Sequence, residues 1–305
     1  MERTRGRPPV VAVVGPTAAG KSDLAVELAL RLGGEAINAD SMQLYKGMDI
    51  GTAKLTLAER RGVPHHLLDV WDVTETASVA EYQRMARPLI DDLRAAGKAP
   101  ILVGGSGLYI RAALDDLEFP GTDPRVRERL EAELDAVGSA VLHQRLKELD
   151  PVAAEAVLAS NGRRIVRALE VIELTGRPFS ATMPSYDAVY ESVQIGVEVP
   201  RPVLDERIAV RVDRMWEAGF VDEVRALVPQ GLPRGRTASR ALGYAQVLRF
   251  LEGEWSEEQA REETIRATRR FARRQESWFR RDPRVSWLPF DAPDLLEQAS
   301  ALVGA

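Results

Sequence analysis

The chain has 305 residues, 45% of them apolar and 29% charged, with a net charge of −5. That length allows one large α/β domain, or a core with a smaller insert, and supplies ample apolar material for a buried interior. The absence of cysteine excludes disulfides, thiolate zinc sites and cysteine nucleophiles and predicts a reducing cytoplasmic setting. No apolar run approaches the roughly 18 residues of a membrane span, and Met1–Arg7 lacks the apolar stretch of a signal peptide.

Val10–Val14 predicts a first buried strand. Gly15-Pro16-Thr17-Ala18-Ala19-Gly20-Lys21-Ser22 follows it and opens a helix-patterned stretch, Asp23–Leu32. This is the phosphate-loop pattern in its strand–loop–helix context. Successive N–H groups of such a loop form a concave anion site, and the helix N-terminus adds partial positive charge. Lys21 supplies a cation for the outer phosphates, and the Ser22 hydroxyl can reach Mg²⁺. The chain is therefore expected to bind a di- or triphosphate through Gly15, Thr17, Ala18, Ala19, Gly20, Lys21 and Ser22.

Ala36–Asp40 reads as a second strand, and the unusual run Asp40–Lys54 leaves its end. Ligands of open α/β sheets lie outside the carboxyl ends of the strands, which places Asp40 near the phosphate loop. There it can hold Mg²⁺ or take a proton from a nucleophile; the plainer alternative is a cap for the next turn. Ser78–Ala96 reads as a helix, and Ile101–Val103 as a strand that ends in Gly104-Gly105-Ser106-Gly107 rather than in the aspartate that NTPases use for Mg²⁺. The glycines allow a ligand close to the backbone, or simply a tight turn into the helix Leu108–Leu114. Alternating strands and helices imply a parallel sheet. Adjacent His65 and His66 lack metal-ligand spacing and are read as structural; His143 has no partner.

Near Pro120 the pattern changes. From Asp123 to Leu174 no strand is visible, and Asp123-Pro124 and Asp150-Pro151 each set an N-cap before a first-turn proline. Residues 120–190 are expected to form an all-helical insertion of about 70 residues between two parts of an α/β core, 1–119 and 191–305. Val193–Val199 returns to strand. Pro202–Ala218, Val221–Leu227, Thr237–Leu251 and Ser256–Arg281 read as helices, then Val285–Phe290 as a strand and a tail helix.

Arg266, Arg269, Arg270, Arg273, Arg274, Arg280 and Arg281 recur at helical steps and share about 140° of one face. Ile265, Phe271, Ala272, Trp278 and Phe279 fall opposite and are expected to pack on the core. The stripe shows no acidic i+4 partners, so it should attract a polyanion. Arg163, Arg164 and Arg167 form a second cluster, and two basic faces beside a phosphate loop suggest a nucleic-acid substrate. The residues leave open an ATP-dependent small-molecule phosphotransferase, or a nucleic-acid-binding module with a regulatory phosphate loop.

The phosphate loop, the run Asp40–Lys54, the Gly-Gly-Ser-Gly-Leu-Tyr turn and the Arg-Arg-Gln-x-x-Trp segment from Arg273 to Trp278 resemble the tRNA dimethylallyltransferase family over nearly the whole chain. The resemblance implies a phosphate-loop NTPase-like fold with a helical insertion that grips the anticodon loop. It implies that the loop takes the pyrophosphate of dimethylallyl diphosphate, with Mg²⁺ at Ser22. The dimethylallyl group would go to N6 of the adenosine immediately 3′ of the anticodon (position 37) in tRNA. Asp40 would be the general base, and Thr17 and Arg211 would stabilise the pyrophosphate. Asp40, Ser41, Met42, Gln43, Ser106, Arg127, Arg163, Arg164, Arg167, Arg240, Gly243, Tyr244, Arg273, Arg274, Gln275, Trp278 and Arg280 would contact tRNA. A cytoplasmic monomer without membrane attachment is expected. Ser106 stands where the family commonly has threonine and keeps the hydroxyl; Ala241 and Ala245 depart from the family pattern.

Overall fold

The structure, a computed structural model, describes residues 7–182 and 187–304. The leader reading of Met1–Gly6 lies outside those residues, as do residues 183–186 of the expected insertion. Six strands form one parallel sheet: β1 (Val10–Val14), β2 (Glu35–Asn38), β3 (His65–His66), β4 (Pro100–Gly104), β5 (Ser192–Glu198) and β6 (Val285–Pro289). Their order is β3-β2-β4-β1-β5-β6. β1 is buried along its length, and its five residues are all valine or alanine, as a strand covered on both faces requires.

The first half contributes helices α1 (Lys21–Leu32), α2 (Val79–Ala95) and α3 (Gly107–Leu114). Next come α4 (Pro124–Val137), α5 (Ser139–Leu149), α6 (Pro151–Ala156) and α7 (Gly162–Thr175). The remainder supplies α8 (Arg201–Glu217), α9 (Phe220–Leu227), α10 (Tyr244–Leu251), α11 (Glu257–Phe279) and α12 (Leu295–Val303). Leu24, Leu28, Ile101, Ile195, Leu204 and Ile208 belong to the core between sheet and helices. No helix among the described residues is long and apolar enough to cross a membrane.

Asp115–Asp187 is a separate compact unit holding α4–α7, and the rest of the chain forms the other. The helical unit has its own core, with Leu130, Leu142, Leu146, Ile165 and Leu169 buried. Asp123 caps α4 by accepting from Arg125 N and Val126 N, Asp150 caps α6 through Ala153 N, and Asn161 caps α7 through Arg164 N. The unit starts ahead of the composition change at Pro120 because its two ends pair at Asp116 N and Asp187 O, 2.8 Å apart.

Two elements differ from the sequence reading. The histidines form the short edge strand β3, where His66 Nε2 meets Glu35 Oε2 at 2.6 Å and His65 Nδ1 lies 2.9 Å from Val63 O. Two residues are too few for periodicity to reveal. The expected helix Thr237–Leu251 is interrupted: a short 3₁₀ turn, Ala238–Arg240, precedes α10. The break falls at Gly243, whose φ of 86° is left-handed and where a Cβ would sit 2.8 Å from the Phe220 ring.

Candidate active site

β1 runs between β4 and β5, and Val14 is in register with both Gly104 and Gly196. The phosphate loop leaves β1 at this point, where the chain connections diverge to either side of the sheet. Gly15 and Gly20 have φ of 134° and 99°, and Ala18 is left-handed at 64°. Gly20 precedes α1 without a side-chain cap, so the first N–H groups of the helix are left for a ligand.

A cavity of about 860 Å³ opens beside the loop. Thr17, Lys21, Ser22, Asp40, Arg207, Arg211 and Arg214 line it. Lys21 Nζ donates to Pro16 O at 2.6 Å. The side chain keeps some surface on the cavity, yet its ammonium is held where water is scarce. Desolvation, then the nearby Arg211, lower its pKa to about 7, against a smaller opposing pull from Asp40. Burial also lowers the pKa of Arg211, partly offset by Asp40. Lys21 and Arg211 thus share the cavity with Asp40, and Arg207 and Arg214 add further positive charge to its lining.

Asp40 is framed by Asn38: Asn38 Oδ1 accepts from Asp40 N at 2.8 Å, and Asn38 Nδ2 donates to Asp40 O at 3.0 Å and to Leu67 O at 2.9 Å. Asp40 Oδ1 accepts from Met42 N at 2.9 Å. The capping alternative is therefore real, but it uses one carboxylate oxygen, and Asp40 also lines the cavity. Gln43 Nε2 donates to Thr52 O at 3.1 Å, bracing the Asp40–Lys54 run. Inside that run Lys54 is buried and its ammonium donates to Asp49 Oδ1 at 2.5 Å, Asp69 Oδ1 at 2.6 Å and Tyr45 O at 3.0 Å.

Arg207 was not legible as a site residue from the phosphate-loop motif. It lies on α8, one turn before Arg211, and Arg214 follows three residues later on the same face. That spacing was the available signal. Arg207 Nε donates to Ala18 O at 2.9 Å, and its guanidinium lies over the Phe290 ring at 5.1 Å.

Several expected tRNA contacts are placed otherwise. Gln275 is 5% exposed: Oε1 accepts from Thr17 N and Nε2 donates to Gly105 O, both at 2.9 Å. Tyr244 is buried, and its hydroxyl donates to Glu223 Oε1 at 2.5 Å. Glu223 also accepts from Asp49 N, Ile50 N and Gly51 N. Within the helical unit Arg127 and Arg167 both pair with buried Glu170, and Arg167 also donates to Pro120 O and Gly121 O. These side chains have partners within the fold, and Arg127 and Arg167 remain partly exposed. Gly243 is the helix break described above. Ser106 Oγ accepts from Ser41 N at 3.3 Å, linking the glycine turn to the Asp40 turn. Arg163, Arg164 and Arg240 are exposed, and Met42 is half-buried.

The arginine stripe is also less bare than the sequence implies. Arg266 pairs with Glu263 at 2.8 Å, Arg270 lies 3.9 Å from the same carboxylate, and Arg269 donates to Asp205 O at 3.0 Å. Arg280 pairs with Glu198 and stacks over Trp287 at 4.1 Å. The acids precede the arginines on the same helix or come from other elements, where a search for acids at i+4 misses them. Arg273 and Arg274 stay exposed, and among the described residues neither pairs with an acid. Trp278, expected in the core, is 42% exposed, with its indole against Gly107.

No cluster of three or more His or acidic side chains suited to a metal occurs among the described residues. Mg²⁺ keeps several waters and is commonly bound by one or two carboxylates with substrate phosphates. Ser22 and Asp40 on the same cavity fit that minimal set, with a diphosphate completing it.

The fold and the site together define a phosphate-loop α/β protein that sets an acid beside an anion cradle. The chain belongs to the IPP transferase family, which matches residues 43–282. It is 73% identical over 299 residues to a tRNA dimethylallyltransferase of Thermobifida fusca, covering 96% of this chain and 94% of that one. It is 71% identical to the tRNA dimethylallyltransferase of Streptomyces coelicolor, covering 95% and 93%. Among solved structures, the tRNA isopentenylpyrophosphate transferase of Bacillus halodurans is 42% identical, with a TM-score of 0.73 over 97% of this chain and 96% of that one. A eukaryotic dimethylallyltransferase acting on tRNA is 26% identical, with a TM-score of 0.83 over 97% and 78%.

Proposed function

We propose that the protein transfers the dimethylallyl group of dimethylallyl diphosphate to N6 of the adenosine on the 3′ side of the anticodon (position 37) in tRNA, releasing diphosphate. One observation carries the mechanism: Asp40, Lys21 and Arg211 share a single cavity at the mouth of the phosphate loop. The bond from C1 of the allyl group to the diphosphate oxygen breaks while the N6–C1 bond forms. Thr17, Lys21 and Arg211 take up the charge that builds on the departing oxygens. The adenine amine is a weak nucleophile because its lone pair is conjugated with the ring. Asp40 orients it and accepts its proton at Oδ2, the oxygen not used by Met42 N.

Ser22 would hold Mg²⁺ together with the diphosphate oxygens, and the ion would further neutralise the diphosphate. The target base has to leave its stack to reach Asp40, as is general for chemistry on a base. Arg273 and Arg274 on α11 and Arg163 and Arg164 on α7 offer guanidiniums for the RNA backbone, the latter pair for the anticodon loop. The protein works as a cytoplasmic monomer.

The test is transfer of label from dimethylallyl diphosphate to unmodified tRNA by the purified protein, with and without ATP. Transfer without ATP is expected, and Asp40→Ala should slow it by ~10²–10⁴-fold, the scale of a lost general base. Turnover that needs ATP, or label that never reaches tRNA, overturns the reading.

A further inference from the structure

Gln275 sits on α11 between the exposed Arg274 and the half-buried Glu276, but its side chain points inward and is buried. Both of its polar atoms are used. The partners fix the orientation of the amide: Thr17 N can only donate and Gly105 O can only accept, so Oε1 faces the first and Nε2 the second. The fit is tight, since a Cβ on Gly105 would lie 2.1 Å from Gln275 Nε2. The glycine in the turn after β4 is thus explained by the close approach of this side chain.

The bridge extends one step further. Ser106, the residue after Gly105, accepts from Ser41 N through its hydroxyl, and the two Oγ atoms are 3.5 Å apart. Ser41 directly follows Asp40. A continuous path therefore runs from Thr17 in the phosphate loop, through the Gln275 amide and the Gly105–Ser106 turn, to the turn that carries Asp40. The two ends of the path are the leaving-group site and the proton acceptor. Their separation decides whether C1 and N6 meet in line, and misplacements of about 1 Å can cost ~10²-fold in rate.

We propose that Gln275 is a positioning residue that sets the spacing between the phosphate loop and the Asp40 turn, and that it does not contact tRNA. This rests on the transferase reading above. Removing the bridge should impair the chemical step and diphosphate binding while sparing RNA affinity.

Two variants test it. Gln275→Met keeps approximate length and removes both hydrogen bonds. Gln275→Glu keeps an acceptor for Thr17 N, but when ionised it sets a carboxylate oxygen against Gly105 O; when protonated it can again donate there. Four quantities are measured for each: single-turnover transfer at saturating substrates, affinity for inorganic pyrophosphate, affinity for tRNA, and melting temperature. For Gln275→Met the expected results are a ~10- to 100-fold slower single turnover, weaker pyrophosphate binding and unchanged tRNA affinity. For Gln275→Glu the rate relative to the parent protein should climb as pH falls from about 8 to 6, because burial raises a carboxyl pKa. The Glu variant decides the matter if the Met variant does not fold. Lost tRNA affinity with a normal single-turnover rate overturns the proposal, and so do unchanged rates and affinities or a flat pH ratio. If the parent protein transfers nothing from dimethylallyl diphosphate while Gln275→Met still weakens pyrophosphate binding, the transferase reading fails and the hold of Gln275 on the loop stands.

Discussion

Arg207 Nε donates to the carbonyl oxygen of Ala18 at 2.9 Å, so a helix far along the chain braces the left-handed residue of the phosphate loop. The contact does two things at once. It fixes a backbone conformation that alanine seldom adopts, and it keeps a guanidinium on the cavity.

Arg207→Met should therefore weaken inorganic pyrophosphate binding by roughly 10- to 100-fold, the scale of one lost hydrogen bond to a charged group. Methionine retains the packing on Phe290. Arg207→Lys should recover only part of the loss, because an ammonium cannot reproduce the Nε geometry. Titration calorimetry checks both, and an affinity within twofold of the parent removes Arg207 from the site.

Lys21 makes a prediction about protons. Burial and the nearby Arg211 lower its pKa to about 7 from an ordinary 10.5. A bound diphosphate raises it again, so at pH 8 binding should take up protons from solution, and the uptake should vanish in Lys21→Met. Calorimetry in buffers of different ionisation enthalpy measures this directly. The same shift has a stability consequence. Below about pH 7 both folded and unfolded chains carry the proton, and the folded state bears the full cost of the buried charge. Between about 7 and 10.5 only the unfolded state stays protonated, so this group's contribution to stability rises with pH. Equal proton uptake by the parent and Lys21→Met would show that Lys21 is already charged.

Tyr244→Phe should separate fold from RNA contact. It leaves the half-buried Glu223 Oε1 with Gly51 N as its remaining donor, at a cost of about 1.5–3 kcal/mol for a lost hydrogen bond to a charged group. Chemical denaturation should show that loss with tRNA affinity unchanged. A stable variant that binds tRNA poorly would return Tyr244 to the RNA surface.

Replacing Arg273 and Arg274 with alanine should weaken tRNA binding. The salt dependence should flatten by up to about one unit of slope per lost phosphate contact. Arg266 and Arg270 share Glu263, so the same double replacement there should do less. Equal effects at the two pairs would mean that the ion pairs open on binding.

The parts of this fold that show in the sequence are those carried by local signals. The valine run of β1, the phosphate loop, and the Asp-Pro caps at Asp123 and Asp150 each state their structure within a few residues. Asp40 followed from strand order. What escaped depends on long-range partners. Nothing near Gln275 announces that it reaches Thr17, 258 positions away. Glu223 and the 49–51 backbone are brought together only by the fold. The arginine stripe was overestimated for the same reason: Asp205 and Glu198, which hold Arg269 and Arg280, lie on other elements. Tyr244 and Arg127 carry chemistry that suits RNA, and their partners within the fold, Glu223 and Glu170, are supplied by other elements.

The carboxylate of Glu223 gathers the amides of Asp49, Ile50 and Gly51, three consecutive donors in a segment that belongs to no helix or strand. Those protons share one acceptor, so they exchange with solvent as a group rather than singly. Their exchange is governed by the detachment of a side chain on α9. A stretch that secondary structure alone would class as fast-exchanging loop should therefore exchange more slowly than an unpaired loop. Release of that one contact would unpair three successive amides of the cavity wall together, while Lys54 still holds the Asp49 carboxylate.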